Sequence, residues 1–572
     1  MNSDGTLRTG SLPLQTRAST SITLWDLLSL PDVGWLILDS LRADHQAALG
    51  RVSKRGRQLV EQDYATDHLR LADCSKVNVD VLRTLVLRAT NRGAALKAVD
   101  LSGCQQLRES WDKVEAILVG LGRLNSLHIE GGPLVRINPD NEAGLVQRLS
   151  SIAEGIYFDL LASDIGAAGA VTLAAALRDA NCKMQALHLE RRTYGDARTA
   201  FGDAGMEALA AALQDANCKL QTLHLTRHPV GVAGAEALGA ALRDANCQLQ
   251  TLRLDRNAGV GADFMQALAP ALQHANCKLQ TLHLQGVRVG AAGIEALAAA
   301  LRDANCKLQM LHLTGNGAGN AGLMTLAAAL RNANCKLQTL QITALEILGW
   351  RRWRRRFGDA NCKLLTLHLI NDDVGDAGAQ ELAAALRDAN CKLQTLHLNS
   401  SRVGAAGTES LAGALRHANC KLQTLQFFNN TVGDAGAAAL ALALQDANCK
   451  LQKLNLDNTH VGAAGAQELA LALQDANCKL QILHLGGNAV GADGAEALAA
   501  ALRDANCKLQ TLHLTRNTVG DAGAAALAVA LRDANCKLQT LKLDGNGIGT
   551  GGAEALAAAL RDANCKLQIL HL

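Results

Sequence analysis

Residues 507–535 read CKLQTLHLTRNTVGDAGAAALAVALRDAN, and the phrase starts again at Cys536. Fourteen cysteines keep its beat, each preceded by Asn: Cys182, Cys218, Cys247, Cys277, Cys306, Cys335, Cys362, Cys391, Cys420, Cys449, Cys478, Cys507, Cys536 and Cys565. From Cys362 onward every step is 29 residues. Leu512 and Leu514 flank His513 in the alternation of a short strand, whereas Ala524 to Leu531 carries apolar residues at helical spacing after a turn that holds Gly520 and Gly523. Each unit therefore reads as one strand plus one helix. Such a unit cannot bury its apolar side alone, so copies must stack into a solenoid, an architecture whose natural use is an extended binding surface.

The frame Leu509-x-x-Leu512-x-Leu514-x-x-Asn517-x-Val519 is that of a leucine-rich repeat. Its length and the phrase N-C-K-L-Q-T-L resemble the ribonuclease-inhibitor type, which also builds the sensor arrays of NOD-like receptors. The resemblance covers residues 160–572. Parallel strands are expected on a concave side and Ala-rich helices on a convex side. The fold class is thus read as α/β, a leucine-rich-repeat horseshoe with a small N-terminal helical module. Along the chain this divides into a disordered start (1–22), a helical module (23–65), divergent repeats (66–160) and regular repeats (161–572). The divergent frames run from Leu82 to Leu87, Leu96 to Leu101 and Leu124 to Ile129.

Composition bounds the function. The chain is 49% hydrophobic but only 2% aromatic, so the core is expected to be Leu, Ala and Val. With 56 basic and 53 acidic residues, a net charge of +3 gives no pull toward nucleic acid or acidic membranes. No apolar run reaches the roughly 18 residues that span a bilayer. The N-terminus lacks a cationic segment followed by an apolar one, so no Sec-type signal is expected.

Sixteen cysteines in a secreted chain would point to disulfides. Here each repeat cysteine holds one position at the helix-to-strand turn, with side chains in parallel, and parallel vectors do not suit a disulfide. No C-x-x-C occurs, so zinc-ribbon spacing is missing. The reading is free buried thiols and a reducing compartment, with no metal or cofactor.

A second ladder fills the centre of L-x-L: His188, His224, His283, His312, His368, His397, His484, His513 and His571, with Arg253, Gln341, Gln426, Asn455 and Lys542 at the other equivalents. Neighbouring strands lie about 4.7–4.9 Å apart, so His283 and His312 are spaced to share a metal or to titrate jointly. A third ligand is lacking, and the preferred reading is one exposed histidine copied by duplication.

The residues after each strand change from copy to copy, as in Thr226-Arg227-His228, Asp255-Arg256-Asn257, Phe427-Phe428-Asn429 and Thr515-Arg516-Asn517. Partner contacts are therefore placed on this rim and the adjoining strands: Arg227, Arg256, His283, His312, His397, Phe427, Phe428, His484 and Arg516. Phe427 and Phe428 are the expected anchors. One repeat is broken. Between Cys335 and Cys362 the step falls to 27 and an Ala-rich helix gives way to GWRRWRRRF at 349–357. This segment reads either as a basic, aromatic surface patch or as a local frame disturbance. Codons TGG-CGG-CGG-TGG-CGG-CGG-CGC-TT read two bases later give Ala-Ala-Val-Ala-Ala-Ala-Leu, the missing helix.

Leu30-Pro31-Asp32-Val33, then Leu36, Ile37, Leu41, Val52-Ser53-Lys54-Arg55, Leu59 and Val60, resemble an F-box. Pro31 also suits a first helical turn, and Leu36, Ile37 and Leu41 fit one apolar face. The resemblance implies docking on the Skp-type adaptor of a cullin-based ubiquitin ligase through Leu30, Pro31, Leu36, Ile37, Leu41, Val52, Leu59 and Val60. Gly34 and Gly56 depart from the family pattern. An F-box followed by G-A-x-A-L-A repeats is similar to the GALA-type effectors of plant-pathogenic bacteria, which implies virulence, and the Ser/Thr-rich, acid-poor start suits type III export into a host cytoplasm. The other localisation kept open is the cytoplasm of the producing cell.

No phosphate loop of the G-x-x-x-x-G-K-S/T kind appears. Leu572 ends within an L-H-L strand, leaving no place for a ligase domain after the repeats. The chain is therefore read as a non-enzyme: an F-box-like substrate receptor that holds a protein target on its concave surface. The alternative is a scaffold or inhibitor whose residues 24–62 merely cap the array. The sequence names neither target nor oligomeric state.

Overall fold

The computed structural model describes residues 166–180, 182, 184–190, 201–257, 259–317, 319–342, 359–370 and 373–572, together with strands at 68–70, 98–100, 126–130 and 157–161. The chain divides into two units, Met1–Ile117 and Leu118–Leu572. In the first, strands His68–Arg70 and Ala98–Asp100 pair in parallel, with His68 opposite Ala98. The F-box-like segment at 23–65 and the basic segment at 349–357 lie outside the described residues.

In the second unit every strand from Ser126–Glu130 to Ile569–His571 pairs in parallel with the next in sequence. The register matches like with like, so Leu483 lies opposite Leu512 and Leu512 opposite Leu541. Strand residues alternate in burial: Leu512 and Leu514 are fully buried and His513 between them is half-buried. Ala-rich helices such as Gly491–Leu502 and Gly520–Leu531 cover the inner side of this sheet. Alanine favours the helix and is thin enough to let neighbours approach. The approach is close at Gly523, where an added Cβ would meet Ala495 Cβ of the preceding helix at 2.9 Å. Among the described residues the core is a row of leucine, alanine, valine and cysteine that recurs from copy to copy, with Phe201, Phe264 and Phe427 its largest fully buried side chains.

Polar side chains join each repeat to the one before it. Asn546 Nδ2 donates to the carbonyls of Leu514 and Leu543, both at 2.7 Å, and its Oδ1 accepts the N–H groups of Asn517 at 2.7 Å and Val519 at 3.3 Å. Asn488 repeats the pattern with Leu456, Leu485, Thr459 and Val461. Buried loop backbone has no water to turn to, so the amide of the next copy completes it. A second asparagine closes the helices: Asn535 Nδ2 donates at 3.0 Å to the carbonyl of Arg503, the C-cap of helix Gly491–Leu502. The lysine after each cysteine adds a third link, as Lys508 Nζ donates to Ala476 and Cys478 carbonyls at 3.0 and 2.8 Å.

The fourteen repeat cysteines from Cys182 to Cys565 are free and, Cys565 apart, buried. Burial pushes the Cys507 thiol up to about 11, so it stays a protonated packing group.

From Gly404 onward helix starts come in two forms, governed by the preceding repeat. Asp434 Oδ1 accepts the N–H groups of Gly462 at 2.6 Å and Gly465 at 3.0 Å, and Gly462 is extended at φ −93°. Asp376 serves Gly404 and Gly407 likewise, and Asp521 serves Gly549 and Gly552. Where the preceding copy has Ala405, Ala463 or Ala492 instead, the next glycine turns left-handed: Gly433 at φ 62°, Gly491 at 66° and Gly520 at 62°. Its N–H then bonds to the following copy, as Gly491 does to the Asn517 carbonyl at 3.0 Å.

Two stability changes test these links. Asp434→Ala should lower unfolding stability by about 1 kcal/mol, the usual value of a lost helix N-terminal acceptor, measured by denaturant titration. Thr459 holds the asparagine position, but its hydroxyl donates to Leu456 O at 2.6 Å and offers no amide to the N–H groups of Asn430 and Val432. Thr459→Asn should therefore raise stability by about 1 kcal/mol. No gain in the denaturation midpoint would contradict the ladder.

Candidate functional site

The outward side of the sheet is the surface on which repeats differ. Its centre line holds the histidine ladder, whose rings meet in pairs through the parallel register. Ring centroids lie 3.7 Å apart for His188 and His224, 4.0 Å for His283 and His312, 4.0 Å for His368 and His397, and 3.8 Å for His484 and His513. The expectation of freely exposed rings is corrected here. Stacking against a neighbour at strand spacing leaves each of these rings half-buried.

Burial is also the main cause of their titration. It pushes His224, His397 and His484 down to about 3 and His312 and His513 to about 4, with neighbouring cationic side chains acting in the same direction. His283 and His368 are lowered too, again chiefly by burial. Among the described residues no group of three His, Cys, Asp or Glu side chains is placed to hold a metal.

The rim after the strands contains the other sequence-derived contacts. Phe427 is fully buried and is not an anchor: it takes the second leucine place of the frame Leu425-Gln426-Phe427 and points into the core. Phe428 is 40% exposed and does face outward. Arg227, Arg256 and Arg516 share one position, with left-handed φ of 63°, 56° and 56°. Gly286, Gly315, Gly487 and Gly545 fill it in other copies. Arg256 and Arg516 are exposed, and Arg227 is half-buried.

Beside Arg256 the surface is concave. A pocket of about 170 Å³ is lined by His188, Leu189, Glu190, His224, Thr226, Arg253, Asp255, Arg256 and Gln285. Glu190 pairs with Arg227 Nη1 at 2.9 Å. Asp255, buried, is held by Arg253 Nε and accepts the Gln285 N–H at 2.7 Å. Of the sequence-derived contacts, Arg256 lines this pocket and Arg227 adjoins it through Glu190. His283, His312, His397, Phe428, His484 and Arg516 lie on other repeats. Glu190, Arg253 and Asp255 were missed as site residues. Their signal was an arginine in a histidine ladder with an acid two residues after it.

The family model described as "Leucine Rich repeat" matches residues 216–239, 275–298, 304–327, 389–412, 418–441, 447–470, 476–499, 505–528 and 534–557. These stretches are leucine-rich repeats. The leucine-rich-repeat array has structural neighbours at low identity. The Rad7–Elc1 complex of yeast aligns at 16% identity and TM-score 0.42, covering 72% of this chain and 90% of that one. An internalin (inlF) of Listeria monocytogenes aligns at 14% identity and TM-score 0.31, covering 76% and 94%. The leucine-rich-repeat domain of APL1B aligns at 12% identity and TM-score 0.25, covering 68% and 84%. No curated protein matches the sequence. Among the described residues no helix is long and apolar enough to cross a membrane.

The lowered histidines set a pH dependence. A free imidazole titrates near about 6.5, so below that pH the unfolded chain takes up protons that the folded ladder refuses until about pH 3–4. Stability is therefore complete above about pH 6.5 and falls as the solution is acidified. The thermal midpoint should drop between pH 7 and pH 5, and a His484→Gln/His513→Gln chain should drop less steeply. Parallel curves would rule out the ladder as the cause.

Proposed function

We propose that this chain is a non-enzymatic protein-binding protein whose sheet face and post-strand rim hold a protein target. We further propose that residues 23–65 deliver that target to the Skp-type adaptor of a host cullin-based ubiquitin ligase. One observation carries the first part. The core residues recur from copy to copy, while variation gathers on one side, where Arg256, Ser400, Phe428, Asn429 and Arg516 stand in sequence-equivalent loops. A stiff frame with a variable face suits recognition of a folded partner, in which a few anchors supply most of the energy. The F-box-like frame from Leu30 to Val60 supports the second part, and the Ser/Thr-rich start supports delivery by a type III-like route.

The two parts separate experimentally. In a pull-down with a plant Skp-type adaptor, the native chain should be retained and Leu30→Ala/Pro31→Ala should be lost. A native chain that fails to bind removes the ligase role and leaves a scaffold or inhibitor. In host extract, a photo-crosslinking residue at Phe428 should capture protein, whereas one at Ala500, exposed on helix Gly491–Leu502, should not. The reverse outcome would move the binding face to the helices.

A further inference from the structure

The pocket beside Arg253 and Arg256 carries more chemistry than the rest of the face. It lies where the array is least regular: the step from Cys182 to Cys218 is 36 residues and that from Cys247 to Cys277 is 30. The family match passes over the repeats that begin at Cys182 and Cys247. Arg253 stands between two histidine pairs, opposite His224 of a stacked pair on one side and His283 of a tilted pair on the other, and replaces a ring by a longer, charged side chain. Arg256 occupies the left-handed position that glycine fills elsewhere. Holding a non-glycine residue there costs about 1 kcal/mol, and strain of this kind gathers at functional sites.

We propose that this pocket is a carboxylate-binding subsite that receives one acidic group of a polypeptide partner, a Glu or Asp side chain or a free C-terminus. The inference rests on the protein-binding reading above and specifies what part of a partner this region takes. Both of the pocket's own carboxylates are already engaged, Glu190 by Arg227 and Asp255 by Arg253 and the Gln285 N–H. The Asp255 contact uses Arg253 Nε and leaves the outer fork of that guanidinium for a ligand. Arg256 is exposed at the mouth. Glu190 is neutralised by Arg227, which pairs with it from outside the lining, and Asp255 by Arg253, so Arg256 is the surplus positive charge of the pocket. His224 adds no charge near neutral pH, because burial holds its titration at about 3. One surplus charge matches a carboxylate better than a phosphate dianion. Guanidinium forks and carboxylates also pair through two parallel hydrogen bonds, which are stronger out of bulk water.

The test uses the full chain and dye-labelled peptide pools read by fluorescence polarisation. One pool is randomised around a fixed Glu and amidated at its end. The second has Gln in place of Glu, and the third has Gln with a free C-terminus. The Glu pool or the free-terminus pool should bind about ten-fold more tightly than the amidated Gln pool, and whichever does identifies the source of the carboxylate. Acetate should compete better than inorganic phosphate at equal concentration. Arg256→Gly should abolish the preference without lowering the unfolding midpoint, since glycine suits the left-handed backbone. Arg253→Gln should abolish it as well. Arg532→Gln, a change at an exposed arginine that caps helix Gly520–Leu531 away from the pocket, should leave it intact. Equal affinity for all pools, no binding of any pool, better competition by phosphate, or equal loss in Arg532→Gln would overturn the proposal. Equal but tight binding of all pools would still leave the face a protein-binding surface, so the two readings fail separately.

Discussion

A buried amide shared between neighbours is the interaction on which this array depends. The loop after each strand runs through the interior, where an unpaired N–H or carbonyl costs roughly 1–3 kcal/mol, and the loop cannot satisfy these groups itself. Asn316, Asn430, Asn488, Asn517 and Asn546 each reach back to the previous copy and complete them. The leucine stack supplies most of the burial, but leucine alone would permit sliding between copies. The amide fixes the spacing, and the helix-closing asparagines and the lysines hold the other edge in step.

This dependence explains which parts of the fold were legible in sequence. Positions that serve the interlock recur in most copies, with departures such as His228, Ser401 and Thr459 at the asparagine place, so the strand, the helix, the Asn-Cys beat and the parallel register could all be read from one repeat. Errors arose where a residue type concealed its place in the frame. Phe427 looked like a rim aromatic, yet the frame counts it as a leucine, and counting was the better guide. The histidines looked exposed because a strand's outward side faces solvent, but rings stacked at strand spacing cover one another. The two kinds of helix start were also written plainly, as Gly-Asp or Gly-Ala. They were overlooked because the aspartate acts on the following copy and not on its own. The segment from Leu30 to Val60 falls outside the described residues, so its role rests on its sequence frame alone.

The outward face combines two opposed demands. Stacked, uncharged histidines make it smooth and stable near neutral pH. The arginines at left-handed positions are a cost to the fold that glycine would avoid, as Gly487 and Gly545 do in their copies. Stability and recognition are thus allotted to different residues of the same loop: the buried asparagine keeps the array together, and the residue before it is free to vary.

The alternation of helix starts bears on how such an array can change length. Asp376, Asp434 and Asp521 each prepare the start of the next helix, and the copies that follow them, at Ala405, Ala463 and Thr550, carry no such acid. Each glycine takes its form from the residue that the preceding copy supplies, so loss of a single copy lets the new neighbours settle the junction: a glycine behind an aspartate starts extended, and one behind an alanine starts left-handed, as Gly491 and Gly520 do in succession. The start is thus set at the junction and not inside the copy, and single copies can be gained or lost without stranding a helix.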